Sequence, residues 1–210
     1  MSRDHVLHKV RTALGRSAGQ ALEPVPEAGI EIPEVFIEAR IDQFCEAFEA
    51  LNGKTYRAAS LAEARATVES ILAGRTAIAS NAPLLTEIGI TTLPKVQSGL
   101  ADRLDLREAC STAGAGITSA DYVLADTGTL VMFSSTEEAR MISLLPPAHI
   151  AVVRRERFLT GLDELLTREP IPSNRSSSMV LITGPSRTAD IEQILVRGVH
   201  GPGEIHAVVL

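Results

Sequence analysis

The chain has 210 residues, 45% hydrophobic and 22% charged, enough apolar content for one globular domain with a full core and an appended arm. A formal net charge of −6, a pI near 5.4 and 3% aromatic residues provide neither the basic stripe nor the stacking platforms of a nucleic-acid binder. No apolar run approaches the roughly 18 residues of a membrane helix, and MSRDHVLHKVRTALG carries charges where a signal peptide has its apolar core, so a cytoplasmic protein is expected.

In chain order, Val6, Val10, Ala13 and Leu14 recur at helical spacing and predict an amphipathic helix over 3–15, its apolar stripe expected to dock on the protein itself or on a second subunit. The segment GRSAGQALEPVPEAGIEIP interrupts that pattern, which makes residues 1–34 a helical arm with its linker and 35–210 the main domain. A helix near 35–51 follows, then a strand in KTYRAAS, a helix from Leu61 to Leu72, a strand in TAIAS and a short helix around LLTEIG. Further on, LADRLDLREAC predicts a helix, HIAVVRR a strand, RFLTGLDELLTR a helix, SSSMVLIT a strand, TADIEQIL a helix and EIHAVVL the closing strand. This alternation predicts an α/β fold, a mostly parallel sheet with helices on both faces. Ligands of such sheets lie outside the carboxyl ends of the strands, and the loops expected there are ADTGT, TGPSRTADI and GVHGPG. Cys45 and Cys110 stand far apart in apolar-flanked helical segments, as reduced thiols. Two cysteines do not make the four-ligand set of an iron–sulfur cluster, so any such cofactor belongs to a partner.

Asp126-Thr127-Gly128 is the tripeptide on which aspartic proteases build their active site, but those enzymes need two such loops so that two carboxylates share a proton. This chain has one copy, within an alternation of strands and helices foreign to that architecture. The local reading is a tight turn between the strand-like runs VLAD and TLVMF, with Gly128 at positive φ, Asp126 capping, and Thr127 and Thr129 offering hydroxyls. In the second loop a strand runs into Gly184-Pro185-Ser186 and then into the expected helix, whose free first-turn amides attract anions. Arg187 adds a bidentate cation there, and Asp190 complements the helix dipole. TGPSRTAD lacks the ending of a P-loop and the spacing of a dinucleotide fingerprint. His200, between turn residues in VHGPG, is a candidate acid or base, whereas His149 at the start of HIAVV is read as a packing residue. His5 and His8 share a helix face without a third ligand, so no metal site is expected. The run Arg154-Arg155-Glu156-Arg157 is read as a solvated turn.

Taken together, GITSADYVLADTGTLVMFSSTEEARMISLLPPAHIAVV and ITGPSRTADIEQILVRGVHGPGEIHAVVL resemble the signature blocks of the lactate-utilisation protein C family, the single-domain form of the LUD domain. The resemblance implies a NagB/RpiA/CoA-transferase-like α/β fold. It also implies work beside two partner proteins, one bearing iron–sulfur clusters and one rich in Cys motifs, that together oxidise L-lactate to pyruvate, with no cofactor in this chain. The candidate site drawn from these blocks has Asp126, Asp190 and His200 handling protons. Thr127, Gly128, Thr129, Gly184, Pro185, Ser186, Arg187 and Thr188 are its residues for binding a small anion such as lactate.

Two other classes stay open: an independent isomerase or transferase of a small phosphorylated or CoA-linked anion, and a non-catalytic assembly or regulatory subunit. A CoA transferase needs a carboxylate nucleophile, for which Glu137 and Glu138 are nearest, although they read as exposed helix-start acids. An isomerase would want a base, and Lys54 and Lys95 lie outside both blocks.

Overall fold

A computed structural model describes residues 2–21, 32–189 and 195–210, with the backbone alone at 188, 189 and 195–197. Two compact units result, Met1–Glu31 and Ile32–Leu210. In the first, α1 (Arg3–Ala13) begins at Ser2, whose hydroxyl accepts the His5 amide at 3.3 Å, and Val6, Val10 and Leu14 are exposed along it.

The second unit is built on six parallel strands: β1 (Lys54–Arg57), β2 (Ala77–Ala79), β3 (Val96–Gln97), β4 (Ala115–Ser119), β7 (Ala148–Val153) and β12 (Glu204–Val209). Their order across the sheet is β1-β12-β7-β4-β2-β3. Every residue of AHIAVV in β7 is buried, His149 included, as in a strand covered on both faces. On one face lie α3 (Leu61–Leu72) and α4 (Pro83–Ile88), which pack Ala64, Val68, Leu85 and Ile88 against Ala79, Ile117, Ile150 and Val208. α3 starts where Ser60 accepts the Glu63 amide at 3.2 Å and Glu63 reaches back to the Ala59 amide at 2.8 Å, a reciprocal cap.

The other face carries α2 (Ile37–Ala50), α5 (Arg103–Thr112), α6 (Arg140–Leu144) and a second sheet. That sheet consists of β5 (Tyr122–Leu124), β6 (Thr129–Phe133), β8 (Phe158–Leu159) and β9 (Met179–Ile182), in the order β8-β5-β6-β9. Phe44 and Phe48 of α2, stacked at 5.0 Å, share a cluster with Ala151 and Val153 of the central sheet and Val123 and Leu130 of the second one. Beyond the second sheet, Leu165 of α7 (Leu162–Arg168) packs with Tyr122, Leu124, Val131 and Phe133. α6 crosses β4 at Gly116, where a Cβ would run into the backbone carbonyl of Ile142.

The expected class, a parallel sheet with helices on both faces, is the one observed. Local expectations differ at several places, three of them instructive; the short elements β3, α6 and a turn of helix at Pro172–Arg175 were also not anticipated. The central strand β4 was not anticipated, because AGITS opens on two small residues directly after a helix and shows little apolar pattern. RFLTGLDELLTR divides into β8 and a later, shorter α7, with extended Gly161 between them. TADIEQIL is not a helix over its described part: β10 (Arg187–Ala189) and β11 (Leu195–Arg197) pair antiparallel, with Thr188 opposite Val196. β-Branched residues at that pair favour the ladder, and the Gly198 amide closes on the Ser186 carbonyl at 3.0 Å.

Candidate functional site

The loops singled out by sequence do converge, but at the rim opposite to the expected one. β5 starts beyond the carboxyl end of β4 and runs back, so the turn after it reaches the last turns of α2, beside the start of β1. There Gly128 takes the expected positive φ, +63°, and a Cβ on it would lie 2.5 Å from the Phe48 amide nitrogen. Hydroxyls tie the turn to the second block: Thr127 to Thr129 at 2.8 Å, and Thr129 to Thr183 at 2.8 Å. Gly184, at φ +99°, lies against Leu51, and the Arg187 guanidinium donates to the Leu51 carbonyl. The Ser186 amide donates to the Pro202 carbonyl at 2.9 Å, and Gly203 donates to Pro147 at 2.9 Å, just ahead of β7. Thus 126–129, 183–187 and 198–203 gather at the amino ends of the parallel strands. Antiparallel return through the second sheet, together with entry into β12 from its start, puts them there.

This geometry corrects the anion cradle expected near 184–188. No helix begins at Ser186, so no first-turn amides are presented, and Arg187 already serves a backbone carbonyl. Asp126 and His200 stand exposed, the former with its carboxylate against Gly161. Pro185 is buried. Asp190 lies outside the described residues, and of Thr188 only the backbone is described.

At the carboxyl rim sits a residue that the sequence reading placed wrongly. Glu138 is 8% exposed, not a solvated helix-start acid. Ser135 accepts the amides of Glu137 and Glu138 at 3.1 and 2.9 Å, and this turn swings the Glu138 side chain inward. Its Oε1 accepts the Ser80 hydroxyl and the Ser119 amide, both at 2.7 Å, while buried Oε2 has no hydrogen-bond partner among the described residues. Ser80 directly follows β2 and Ser119 ends β4, neighbours in the sheet whose outgoing connections depart to opposite faces. The carboxyl therefore occupies a topological switch point, where open α/β sheets bind ligands. Burial, with a smaller push from the charge of Asp121, outweighs those hydrogen bonds and raises the Glu138 carboxyl to about 7. The only hint in the sequence was SSTEE, a hydroxyl three residues ahead of an acid.

Beside this carboxyl lies a cleft of about 140 Å³ lined by Leu84, Ser119, Ala120, Asp121, Arg154 and Arg157. Arg154 also pairs with Glu87 at 2.5 Å, and the Arg157 guanidinium lies 5.8 Å from the centre of the Tyr122 ring. Asp121 is engaged elsewhere: it accepts the Phe133 amide at 2.7 Å and pairs with Arg175.

The buried histidines fill packing roles. His149 is fully buried in β7 and meets the Thr118 hydroxyl at 2.8 Å; burial, then the neighbouring His206, push it down to about 3, so it is neutral at working pH. Cys45 and Cys110 are free thiols, the latter raised by burial to about 11 and hence a poor nucleophile. Among the described residues no three His, Cys, Asp or Glu side chains converge to hold a metal, and no helix is long and apolar enough to cross a membrane.

Fold and rims together define a layered α/β domain whose central parallel sheet is backed by an antiparallel one. The LUD domain model matches residues 41–210, and the chain belongs to that family. A protein named Lactate utilization protein C from Halalkalibacterium halodurans is 37% identical over 137 residues, 61% of this chain and 59% of that one. A protein of the same name from Bacillus subtilis is 42% identical over 94 residues, 43% of this chain and 39% of that one. In these two matches the chain spans between 39% and 59% of its relatives' lengths. A solved structure of a DUF162 family protein from Deinococcus radiodurans shares the fold, with a TM-score of 0.63 at 18% identity over 84% of this chain and 99% of the other.

Proposed function

We propose that this protein is a subunit of an L-lactate utilisation system, in which L-lactate is oxidised to pyruvate with loss of two protons and two electrons, the electrons passing to iron–sulfur partner proteins. One observation carries the reading. Loops of the two blocks that resemble lactate-utilisation protein C, 126–129 in the first and 183–187 with 198–203 in the second, fold onto a single rim, where Thr129 bonds Thr183 across 54 residues of sequence. On that rim Asp126, Thr127, Arg187 and His200 are exposed and offer both charges and a hydroxyl to a partner protein.

Reconstitution of lactate oxidation from purified components, with and without this chain, tests the proposal. Turnover is expected to require the chain, and replacing His200 and Asp126 by Ala is expected to weaken co-purification with the Cys-rich partner. Turnover that proceeds equally well without the chain, or full turnover by the chain alone, would overturn it.

A further inference from the structure

We infer that the cavity where the starts of α5 and α6 meet the ends of β6 and β9 is a binding site for a small organic phosphate monoester. Arg103 and Arg140 hold the phosphate there, and the hydroxyls of Ser134, Ser177 and Ser178 complete its hydrogen bonds. The site does not rest on the lactate reading.

Packing brings the two arginines to one opening. Arg103 precedes buried Leu106 and Cys110 by three and seven residues, the spacing of one helical face, and that face packs on Ile142 of α6. Arg140 begins α6, so the same contact sets both guanidinium stems beside the cavity, which they line with Ser134, Ser177 and Ser178. The serines are fixed from the other side. The Ser134 amide donates to the Ser178 carbonyl at 2.9 Å, the Ser176 hydroxyl donates to the Ser134 carbonyl at 2.6 Å, and Arg140 reaches the Ser178 hydroxyl at 3.3 Å. Because α5 runs back to the start of β4, its own start stands at the carboxyl rim of the parallel sheet, where open α/β sheets take their ligands.

Charge and size select the ligand. In a chain of net charge −6, neither Arg103 nor Arg140 has an ion-pair partner among the described residues, whereas Arg40, Arg57, Arg75, Arg154, Arg155, Arg168 and Arg175 all do. The cavity has no acid in its lining. Acids close by in sequence are turned to other uses: Asp102 caps the Leu104 and Asp105 amides, Glu137 accepts the Ser135 hydroxyl, and Glu138 is turned inward to Ser80. One carboxylate would satisfy one guanidinium fork; two forks with hydroxyls beside them match a dianion with three free oxygens. The volume, about 580 Å³, falls within the roughly 300–1,000 Å³ of small-molecule sites and leaves most of its space to the rest of the ligand. Ala139 and the adaptable Met141 thioether give that remainder an apolar wall.

The test is isothermal titration calorimetry of the full chain, at one low ionic strength, with phenyl phosphate, inorganic phosphate and benzoate. Wild type is expected to bind phenyl phosphate more tightly than inorganic phosphate and at least about tenfold more tightly than benzoate. Arg103→Gln and Arg140→Gln should each weaken phenyl phosphate about tenfold or more. Arg157→Gln, which removes a cation of the same rim outside this cavity, should leave the affinity within about twofold. Thermal melting of all three variants alongside wild type establishes that they fold; a variant that does not is replaced by Lys at the same position, which keeps the charge, loses the fork and carries the same expectation. No binding of phenyl phosphate by wild type, benzoate or inorganic phosphate bound equally well, unchanged affinity in either folded cavity variant, or an equal loss in Arg157→Gln would overturn the site. Reconstituted lactate oxidation tests the function proposed above separately, and neither of its outcomes alters this one.

Discussion

Glu138 shows how a single residue can be legible in identity and illegible in role. SSTEEAR looks like a solvated loop; only the turn around the Ser135 hydroxyl and the tight seat between Ser80 and Ser119 turn the second acid inward. Neither partner is near in sequence, so no local pattern could report the burial. Its consequence for stability has a definite sign. The folded value, about 7, lies above the ordinary 4.5, so the group's favourable contribution is complete below about pH 4.5 and is lost as pH rises through 7. Glu138→Gln stays neutral throughout, and its stability relative to wild type should therefore rise by about 3 kcal/mol between about pH 5 and about pH 8. Urea unfolding of both proteins at the two pH values measures this; a constant difference would mean that the carboxyl is solvated. His149 acts oppositely, its depressed value withdrawing stability as pH falls from 6.5 towards 3, and it affects both proteins alike.

At the scale of elements, the sequence was most readable where local chemistry and tertiary need agree. α3 begins at Leu61, capped by Ser60, and ends at Leu72 as its cap and apolar spacing require, and the β5–β6 turn takes the conformation that Asp-Thr-Gly suggested. It was least readable where neighbours decide. AGITS becomes a central strand because small residues let α6 lie directly on it, and RTA becomes a strand because LVR returns beside it. Two glycines test this dependence. Gly116→Ala should force α6 off β4, since the obstructing atom is the backbone carbonyl of Ile142, and cost about 3 kcal/mol in denaturant unfolding. Gly128→Ala combines positive φ with backbone of α2 at 2.5 Å, and should cost about 2 kcal/mol while loosening the Thr129–Thr183 link. Amide hydrogen exchange should then quicken at 183–186 more than in β7; an unchanged rate at 183–186 would show that the turn does not brace that rim.

For the whole molecule, alternation of apolar runs announced the layered α/β class, but not which rim each loop would occupy. That depends on strand order and on the second sheet, both products of long-range pairing. The main unit nonetheless has its own complete interior. Among the described residues, all the buried hydrophobic side chains and every strand fall between Ile41 and Val209, and α1 buries none of its own residues. A chain of residues 32–210 is therefore expected to fold cooperatively without the arm. Removal of α1 withdraws no core side chain, so the expected loss is under about 1 kcal/mol, a shift of at most about 4 °C for a unit of this size. Differential scanning calorimetry of the two lengths decides it: one sharp transition at nearly the same temperature is the expected result, whereas a broad or absent transition in the shorter chain would mean that residues 2–31 complete the fold. If the short form also retains the pH response of Glu138, the carboxyl's environment belongs wholly to the main unit.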